Sequence, residues 1–424
     1  MLTPTTPYVH LLGNNLILKS IHDNADVDRL AAFNGHIFDQ TVAEMSRQLI
    51  AHHPSTRPEH WLYIEDETTG QIVSSLALIP WQWRYEDVTL KVGEMGIVGT
   101  REAYRHRGLV RALAARHREL LHEGDFDLSN IQGIPYYYRQ FGYEYALPLE
   151  PGWHLELQDV PEVPTETLSK FSFRPATTAD IAALTQMYDD AARSLDISAI
   201  RSTAIWQYLL QDAAGSAMAG QCWLVLDAHS QPAGYFRIMF HGFGKGLIVS
   251  ETSRHSQDIS LVMLHHLKAL AREHDKPSIR FNLPLSNDLL RTAQGCGADN
   301  TGTYAWQMLV VDAARLLRKI TPVLERRIAA SSFNSLTQRL IINLYREAFE
   351  LRFEAGKLLA VKALGFSDQW GIRLPPPLFA PLVLGYRSPA DLSACYHDVQ
   401  VLKEAKPLVD VLFPGMDSFI YTIY

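Results

Sequence analysis

Between Gly99 and His117 the chain reads GTREAYRHRGLVRALAARH, and Arg118 follows directly. Arginines and one central glycine thus gather where a strand-like run gives way to a helix-like one. Ahead of them, GEMGIVGT is short, apolar and rich in glycine. Behind them, Val110, Leu113, Ala114, Leu120 and Leu121 recur at helical spacing and predict a buried stripe, with His117 a packed histidine on it. The first amides of a helix lack intrahelical partners, and the helix dipole favours negative charge there. Gly108 lets a ligand's oxygens approach those amides, while Arg105 and Arg107 supply fixed positive charge. The pattern predicts a cradle for a diphosphate.

Other chemistry-bearing residues lie nearby in sequence. FDLSNIQG reads as a further strand, followed by the aromatic stretch IPYYYRQFGYEYAL. Its tyrosines are candidate proton donors, since a phenol titrates near 10. Glu94 reads as an ordinary strand-edge carboxylate. His52 and His53, in AHHPSTRPEH, are expected on a solvated loop. His265 and His266 are adjacent on a predicted helix and face different ways, so no metal site is expected. Cys222, Cys296 and Cys395 are odd in number and lack metal spacing, which favours a reducing compartment without disulfides.

These groups must be positioned by a chain of 424 residues, long enough for two or three domains. A hydrophobic fraction of 47% with 20% charged residues is ordinary globular composition. The net charge of −7 argues against nucleic acid or an anionic membrane as partner and mildly favours a cationic substrate. MLTPTTPYVHLLGNN has no leader pattern and no run reaches membrane-spanning length, so a cytoplasmic protein is expected. The two halves repeat. LILKSIHDNADVDRLAAF parallels FSFRPATTADIAALTQMY, aligning Asp26 with Asp180, and HWLYIEDETTGQIVSSLAL parallels CWLVLDAHSQPAGYFRIMF, aligning Trp61 with Trp223. Between the copies a proline-rich linker is expected to carry one short edge strand around WHLEL. The run TYAWQMLVVD closes the second copy. A third segment opens with the helix RLLRKITPVLERRIAA. It continues with a hairpin turning at Ala355 and Gly356, then an apolar, proline-started helix in LPPPLFAPLVLGYRS. It ends in LFPGMDSFIYTIY, a docked, strand-like stretch.

Taken in order, these parts resemble the GNAT acyl-CoA N-acyltransferase superfamily over roughly residues 10–150. The superfamily signature R/Q-x-x-G-x-G/A is matched by Arg105, His106, Arg107, Gly108, Leu109 and Val110, with Val110 departing at the last position. The segment YYRQFGYE resembles the aromatic element that follows in the superfamily. The whole plan resembles one branch, the Eis-like (enhanced intracellular survival) acetyltransferases. The resemblance implies an α/β fold of mixed sheets: an active GNAT domain (1–150), a degenerate second one (151–312) and a sterol-carrier-protein-like domain (313–424). The second copy reads GLIVSETSRHSQDISLVMLHHL where its cradle belongs and has no R-x-x-G.

The resemblance also implies roles. Acetyl-CoA is the expected acyl donor. Backbone of Val98, Gly99 and Thr100 should pair with the pantetheine arm, Arg105 to Val110 should take the diphosphate, and Gly133 with Ile134 should flank the thioester. Tyr138 matches the branch's general acid. The branch uses its C-terminal carboxylate as base, which makes Tyr424 the matching position; Glu94, eleven residues before Arg105, resembles the strand glutamate that serves as base in the histone-acetyltransferase branch. The expected reaction is acetyl transfer to a primary amine, of a small cationic molecule or a lysine side chain. Ring-like homo-oligomers, hexamers among them, are the branch's habit, so the resemblance implies a homo-oligomer. The competing reading is a non-catalytic acyl-CoA- or lipid-binding protein, with the PLFAPLVLGY helix lining a groove.

Overall fold

The computed structural model describes residues 7–242 and 245–424. The first six residues of the N-terminal stretch therefore lie outside the described residues. Three sheets, of nine, seven and five strands, organise the described chain. The first is built from β1 (Val9–Gly13), β2 (Leu16–Ser20), β3 (Trp61–Asp66), β4 (Gln71–Tyr85), β5 (Val88–Thr100), β6 (Leu128–Ile131) and β7 (Glu144–Glu150), with Ile197–Ala199 on β4 and Tyr304–Val310 from later in the chain. Helices α1 (Asn24–Ile37) and α2 (Gln40–His52) precede β3, and α3 (Leu109–Glu123) joins β5 to β6. Both hairpins expected from the repeat are present: β3 with β4, and Gly220–Leu226 with Pro232–Met239. Asp26 and Asp180 play matching parts, each accepting a backbone amide ahead of its helix, from His22 at 3.0 Å and from Thr177 at 2.8 Å.

The sheets exchange strands. Tyr304–Val310, expected to close the second copy, instead lies in the first sheet between β6 and β7. Its mostly apolar sequence suits a strand covered on both faces. In return, Trp153–Glu156 enters the second sheet beside Ser278–Phe281, with Asp299–Asn300 on its other side. The expected edge strand around WHLEL is thus an interior one. Proline confines only the flanks, and Trp153 to Glu156 are free to donate on both sides. The two crossing strands touch where Thr301 N donates to Gly152 O at 3.0 Å and Asn300 Nδ2 donates to Pro151 O at 2.7 Å.

In the third segment the predicted opening helix is split, into Ala313–Lys319 and Thr321–Ala329, with Pro322 in the first turn of the second. The hairpin turns at Ala355 and Gly356, both at positive φ. The apolar helix is short, Phe379–Val383, and its Phe379, Leu382 and Val383 are buried in a core shared with β7 and Tyr304–Val310. It packs into that core, while Phe379 and Pro381 also line cavities on either side of it. The final segment is docked but is not a strand: Ser418 makes one parallel bridge to Ile197, and Phe419 to Tyr424 are held by scattered bonds.

Gly152 has φ +79°, and a Cβ there would overlap the Gly302 carbonyl. Gly152→Ala should destabilise the protein by at least about 1–2 kcal/mol, the usual cost of a left-handed alanine before any clash. Denaturant unfolding measures this, with Gly70→Ala, also left-handed but with open space around its Cβ, as the comparison.

Candidate active site at a strand fork

Strands β5 and β6 run parallel and pair at three positions, Val92 with Leu128, Gly93 with Ser129 and Glu94 with Asn130. β6 stops at Ile131, whereas β5 continues to Thr100 on β4 alone. Beyond Glu94 the two strands part, and the β5 edge that faced β6 is left for another partner. β5 is also bulged: Ala77 pairs with Gly96 and Ser75 with Gly99, with Ile97 at φ +50° between them. Side chains pin this kink. Ser74 Oγ donates to Gly99 O (2.9 Å), and Ser75 Oγ lies within reach of Ile97 O (3.2 Å) and Asn34 Oδ1 (2.9 Å). The structure therefore places Val98, Gly99 and Thr100 on one open arm of a fork.

Helix α3 begins beside that arm. Its N-cap is Gly108, at φ +77° and ψ 10°, and no side chain caps the first turn. A Cβ at Gly108 would meet nothing within 4 Å. The glycine is thus required by its left-handed backbone, and the space beside it is open for a ligand. Arg105, His106 and Arg107 are exposed, while Leu109 is buried and Val110 half-buried. Arg107 lies over the ring of Tyr104 (5.0 Å), whose hydroxyl donates to Asp66 Oδ2 (2.6 Å). This anchors the loop while its guanidinium groups stay at the surface. His117 is buried, as its place on the stripe predicts, but its Nε2 has no partner among the described residues. Burial pulls its pKa down to about 3, so it is neutral.

The other arm carries Gly133 and Ile134. The Gly133 carbonyl accepts hydrogen bonds from the Tyr304 hydroxyl and from Gln307 Nε2 (3.0 Å), both on the exchanged strand. Tyr138 stands in a short helical turn, Tyr137–Phe141, with its ring against Gly133, where a Cβ would overlap it. The ring packs in the cluster that contains Leu113, Tyr143 and Met95. Burial holds the phenol well above its usual pKa, which keeps it protonated. A cavity of about 570 Å³ lies beside Gly133 and Ile134, walled also by Glu150, His154, Arg280 and Tyr304.

Glu94 lies on the opposite face from Met95, as neighbouring strand residues must. It is no edge carboxylate. It is 2% exposed, in an interior strand, and its pKa rises from 4.5 to about 8 through desolvation. Two donors offset part of that rise: Trp81 Nε1 to Oε2 at 3.0 Å, and the Tyr424 hydroxyl to Oε1 at 2.8 Å. Tyr424 thus comes to the first sheet, and its phenol is the group on Glu94; its backbone oxygen accepts from Thr422 Oγ1 (2.7 Å). Trp81, Trp306 and Tyr424 pack edge to face around the carboxyl group. Beside it Asn130 is fully buried with neither amide atom bonded among the described residues.

His53 also departs from expectation. It is buried, 4% exposed, edge-on to the Tyr208 ring (5.1 Å), and desolvation lowers its pKa to about 4. Only His52 is exposed, because α2 ends between them. His266 stacks on Phe173 at 4.1 Å, and no group of acids, cysteines and histidines suited to a metal occurs among the described residues. Sequence reasoning missed Trp81, Asn130, Tyr304 and Gln307. The β4–β5 hairpin register carries a signal for Trp81; the exchanged strand left none for Tyr304 and Gln307.

The family model described as acetyltransferase (GNAT) domain matches residues 22–146. No curated protein matches the chain by sequence. Among solved structures, a GCN5-related N-acetyltransferase from Anabaena variabilis superposes with a TM-score of 0.69 at 16% identity, covering 96% of this chain and 99% of that one. A probable N-acyltransferase from Enterococcus faecalis gives 0.71 at 16% identity, over 96% and 100%. Eis1 from Mycobacterium abscessus gives 0.61 at 15% identity, over 96% and 100%. The chain shares the fold of these proteins along nearly its whole length.

Two variants separate the arms of the fork. Gly133→Ala should displace the Tyr138 ring and lower turnover, leaving coenzyme A affinity within about twofold, because the altered arm bears on reaction geometry. Gly108→Val combined with Arg105→Gln and Arg107→Gln should weaken coenzyme A binding at least about tenfold, as strained amides and lost charge would both tell on a diphosphate held there. Calorimetry and steady-state kinetics on the same preparations distinguish the two.

Proposed function

From the premise that residues 22–146 form a GNAT acetyltransferase domain, which makes this chain an N-acyltransferase, we propose that it transfers acetyl from acetyl-CoA to a primary amine. One observation carries the reading: the fork between β5 and β6 has a phenol on one face and a buried carboxyl group of raised pKa on the other. The residues present suit coenzyme A. The unpaired β5 edge offers backbone to the pantetheine arm at Val98, Gly99 and Thr100. The uncapped start of α3, with Arg105 to Val110, offers amides and charge to the diphosphate. Gly133 and Ile134 border the thioester position on the other arm.

The chemistry asks for a neutral amine and a protonated leaving group. The amine nitrogen attacks the thioester carbon, a C–N bond forms, and the C–S bond breaks to release thiolate. We assign the amine's proton to Glu94. An ordinary carboxylate would be too weak a base, but a pKa of about 8 lies much nearer that of an alkylammonium. The Tyr424 phenol and the Trp81 indole stabilise the ionised carboxylate that must be present first. We assign Tyr138 as the acid that protonates the departing sulfur. Its raised pKa makes it reluctant in the empty site, and the positive charge developing on the amine nitrogen eases the transfer.

The acceptor is a small amine or a lysine side chain. The remaining features of the reading are an Eis-like plan with a degenerate second GNAT unit and a sterol-carrier-protein-like third one, a homo-oligomer and a cytoplasmic setting. The non-catalytic reading has less support, because its motivating helix, Phe379–Val383, spends most of its apolar side chains in the core it shares with the first sheet.

Thiol release from acetyl-CoA with a panel of polyamines, aminoglycosides and lysine peptides tests the activity; no release with any amine, and no heat of acetyl-CoA binding, would refute it. Glu94→Gln and Tyr138→Phe should each cut turnover by ~10²–10⁴-fold, the usual size for losing a general base or acid. The base works deprotonated, so kcat/KM should rise with pH through an ionisation near 8 that Glu94→Gln abolishes. Stability should carry the same signature with opposite sign. Between pH 4.5 and about 8 the folded carboxyl keeps a proton that the unfolded chain releases, so its contribution to stability falls across that window. Urea unfolding of wild type and Glu94→Gln should therefore converge toward low pH and diverge toward pH 8.

A further inference from the structure

Tyr424 reaches Glu94 at the end of a segment that belongs to no sheet. His53 reaches the Ile423 backbone and Trp81 packs on the Tyr424 ring, and a further hold comes from residues 196–201 and the second sheet. Asp417 N donates to Asp196 Oδ2 (2.7 Å), Asp196 N donates to Asp417 O (2.6 Å), and Phe419 N donates to Ile197 O (3.1 Å). Five residues beyond Asp417, Arg201 donates to the Thr422 carbonyl from both Nε (3.1 Å) and Nη2 (2.6 Å). Thr422 is two residues from the phenol that bonds Glu94.

Arg201 is 5% exposed and fixed on every side. Its guanidinium forms a two-pronged pair with Glu251, with Nη1 at 2.7 Å from Oε1. The rings of Tyr188 and Trp206 flank it at 4.4 and 4.6 Å, and the Tyr235 hydroxyl donates to Glu251 Oε1 at 2.6 Å. Glu251 sits two residues past Val249, the last position at which its strand pairs with Ser278–Phe281. This is the place on the second sheet where the strands part, as they do after Glu94 on the first.

A buried ion pair is a poor device for stability alone, since well-packed apolar side chains of similar volume usually do as well. An apolar pair cannot donate two hydrogen bonds to the Thr422 carbonyl. A planar guanidinium can, while also spanning both oxygens of Glu251. We propose that Arg201 and Glu251 are positioning residues for acyl transfer: by fixing Thr422 they hold the Tyr424 phenol on Glu94, so that the second sheet serves the reaction without touching substrate. The proposal rests on Glu94 being the base.

The test is a mutant cycle on the full chain. Arg201→Lys keeps a positive charge beside Glu251 but cannot span Glu251 and Thr422 together. It should lower kcat at least about tenfold, within the range that misplacement at a distance from the chemistry produces. Coenzyme A affinity by calorimetry should stay unchanged. In a Tyr424→Phe background the same substitution should add almost nothing, because both act through one contact. Asp196→Ala, a partly exposed change less able to disturb folding, should show the same loss of additivity at smaller size. An equal fold-loss in both backgrounds, or no loss in wild type, for both substitutions overturns the positioning role while leaving Glu94 as base. Full turnover by Glu94→Gln removes the base assignment itself, and the proposal with it.

Discussion

Everything in the site follows from the unequal lengths of β5 and β6. β5 is carried to Thr100 by its pairing with β4, whereas β6 ends at Ile131. Parallel strands that pair briefly and then part leave an unpaired backbone edge, which costs free energy unless something else bonds it. The helix that follows β5 must start near the open end of that edge. An uncapped helix start and a free strand edge are therefore brought together by chain connectivity. Gly108 makes the turn possible because the φ of +77° is one that other residues resist.

The second constraint is the burial of Glu94. An isolated carboxylate in an apolar setting is costly, so it takes up a proton unless donors hold its charge. Here one donor is near in sequence and one distant, Trp81 from the other strand of the hairpin and Tyr424 from the last segment. A compromise results: a carboxyl group poised near pH 8 rather than one fully ionised or permanently neutral. Acid and base candidates occupy opposite faces of one sheet, and the alternation of strand side chains, Met95 towards α3 and Glu94 away from it, sets that separation.

Strand exchange ties these features to the rest of the molecule. The far edge of β6 is covered by Tyr304–Val310, and the same strand supplies the hydroxyl and amide that hold the Gly133 carbonyl. The first sheet is thus incomplete without residues that follow the second. Trp153–Glu156 does the reciprocal service for the second sheet. The halves resemble one another in order of elements, yet neither could be cut from the other without exposing two strand edges.

The local patterns were legible in the sequence. The helical stripe from Val110 to Leu121, the glycine at its start, the paired hairpins and the turn at Ala355 and Gly356 all follow from period, capping and backbone preference, which act over a few residues. The aromatic turn carrying Tyr138 was legible only through its resemblance to the superfamily's aromatic element. What tertiary structure decided was which distant segments complete each environment. Nothing local told the WHLEL strand that it would be interior, or told TYAWQMLVVD to join the other sheet. Nothing marked His53 for burial while His52 stayed in solvent. Glu94 read as an edge carboxylate because burial belongs to the assembled fold, and its pKa belongs to the desolvation that assembly imposes, partly offset by the Trp81 and Tyr424 donors. The sequence alone determined where backbone amides and positive charge would gather, since a helix start and its neighbours are local. The fold alone determined which side chains would be stripped of water, since desolvation depends on everything packed around them.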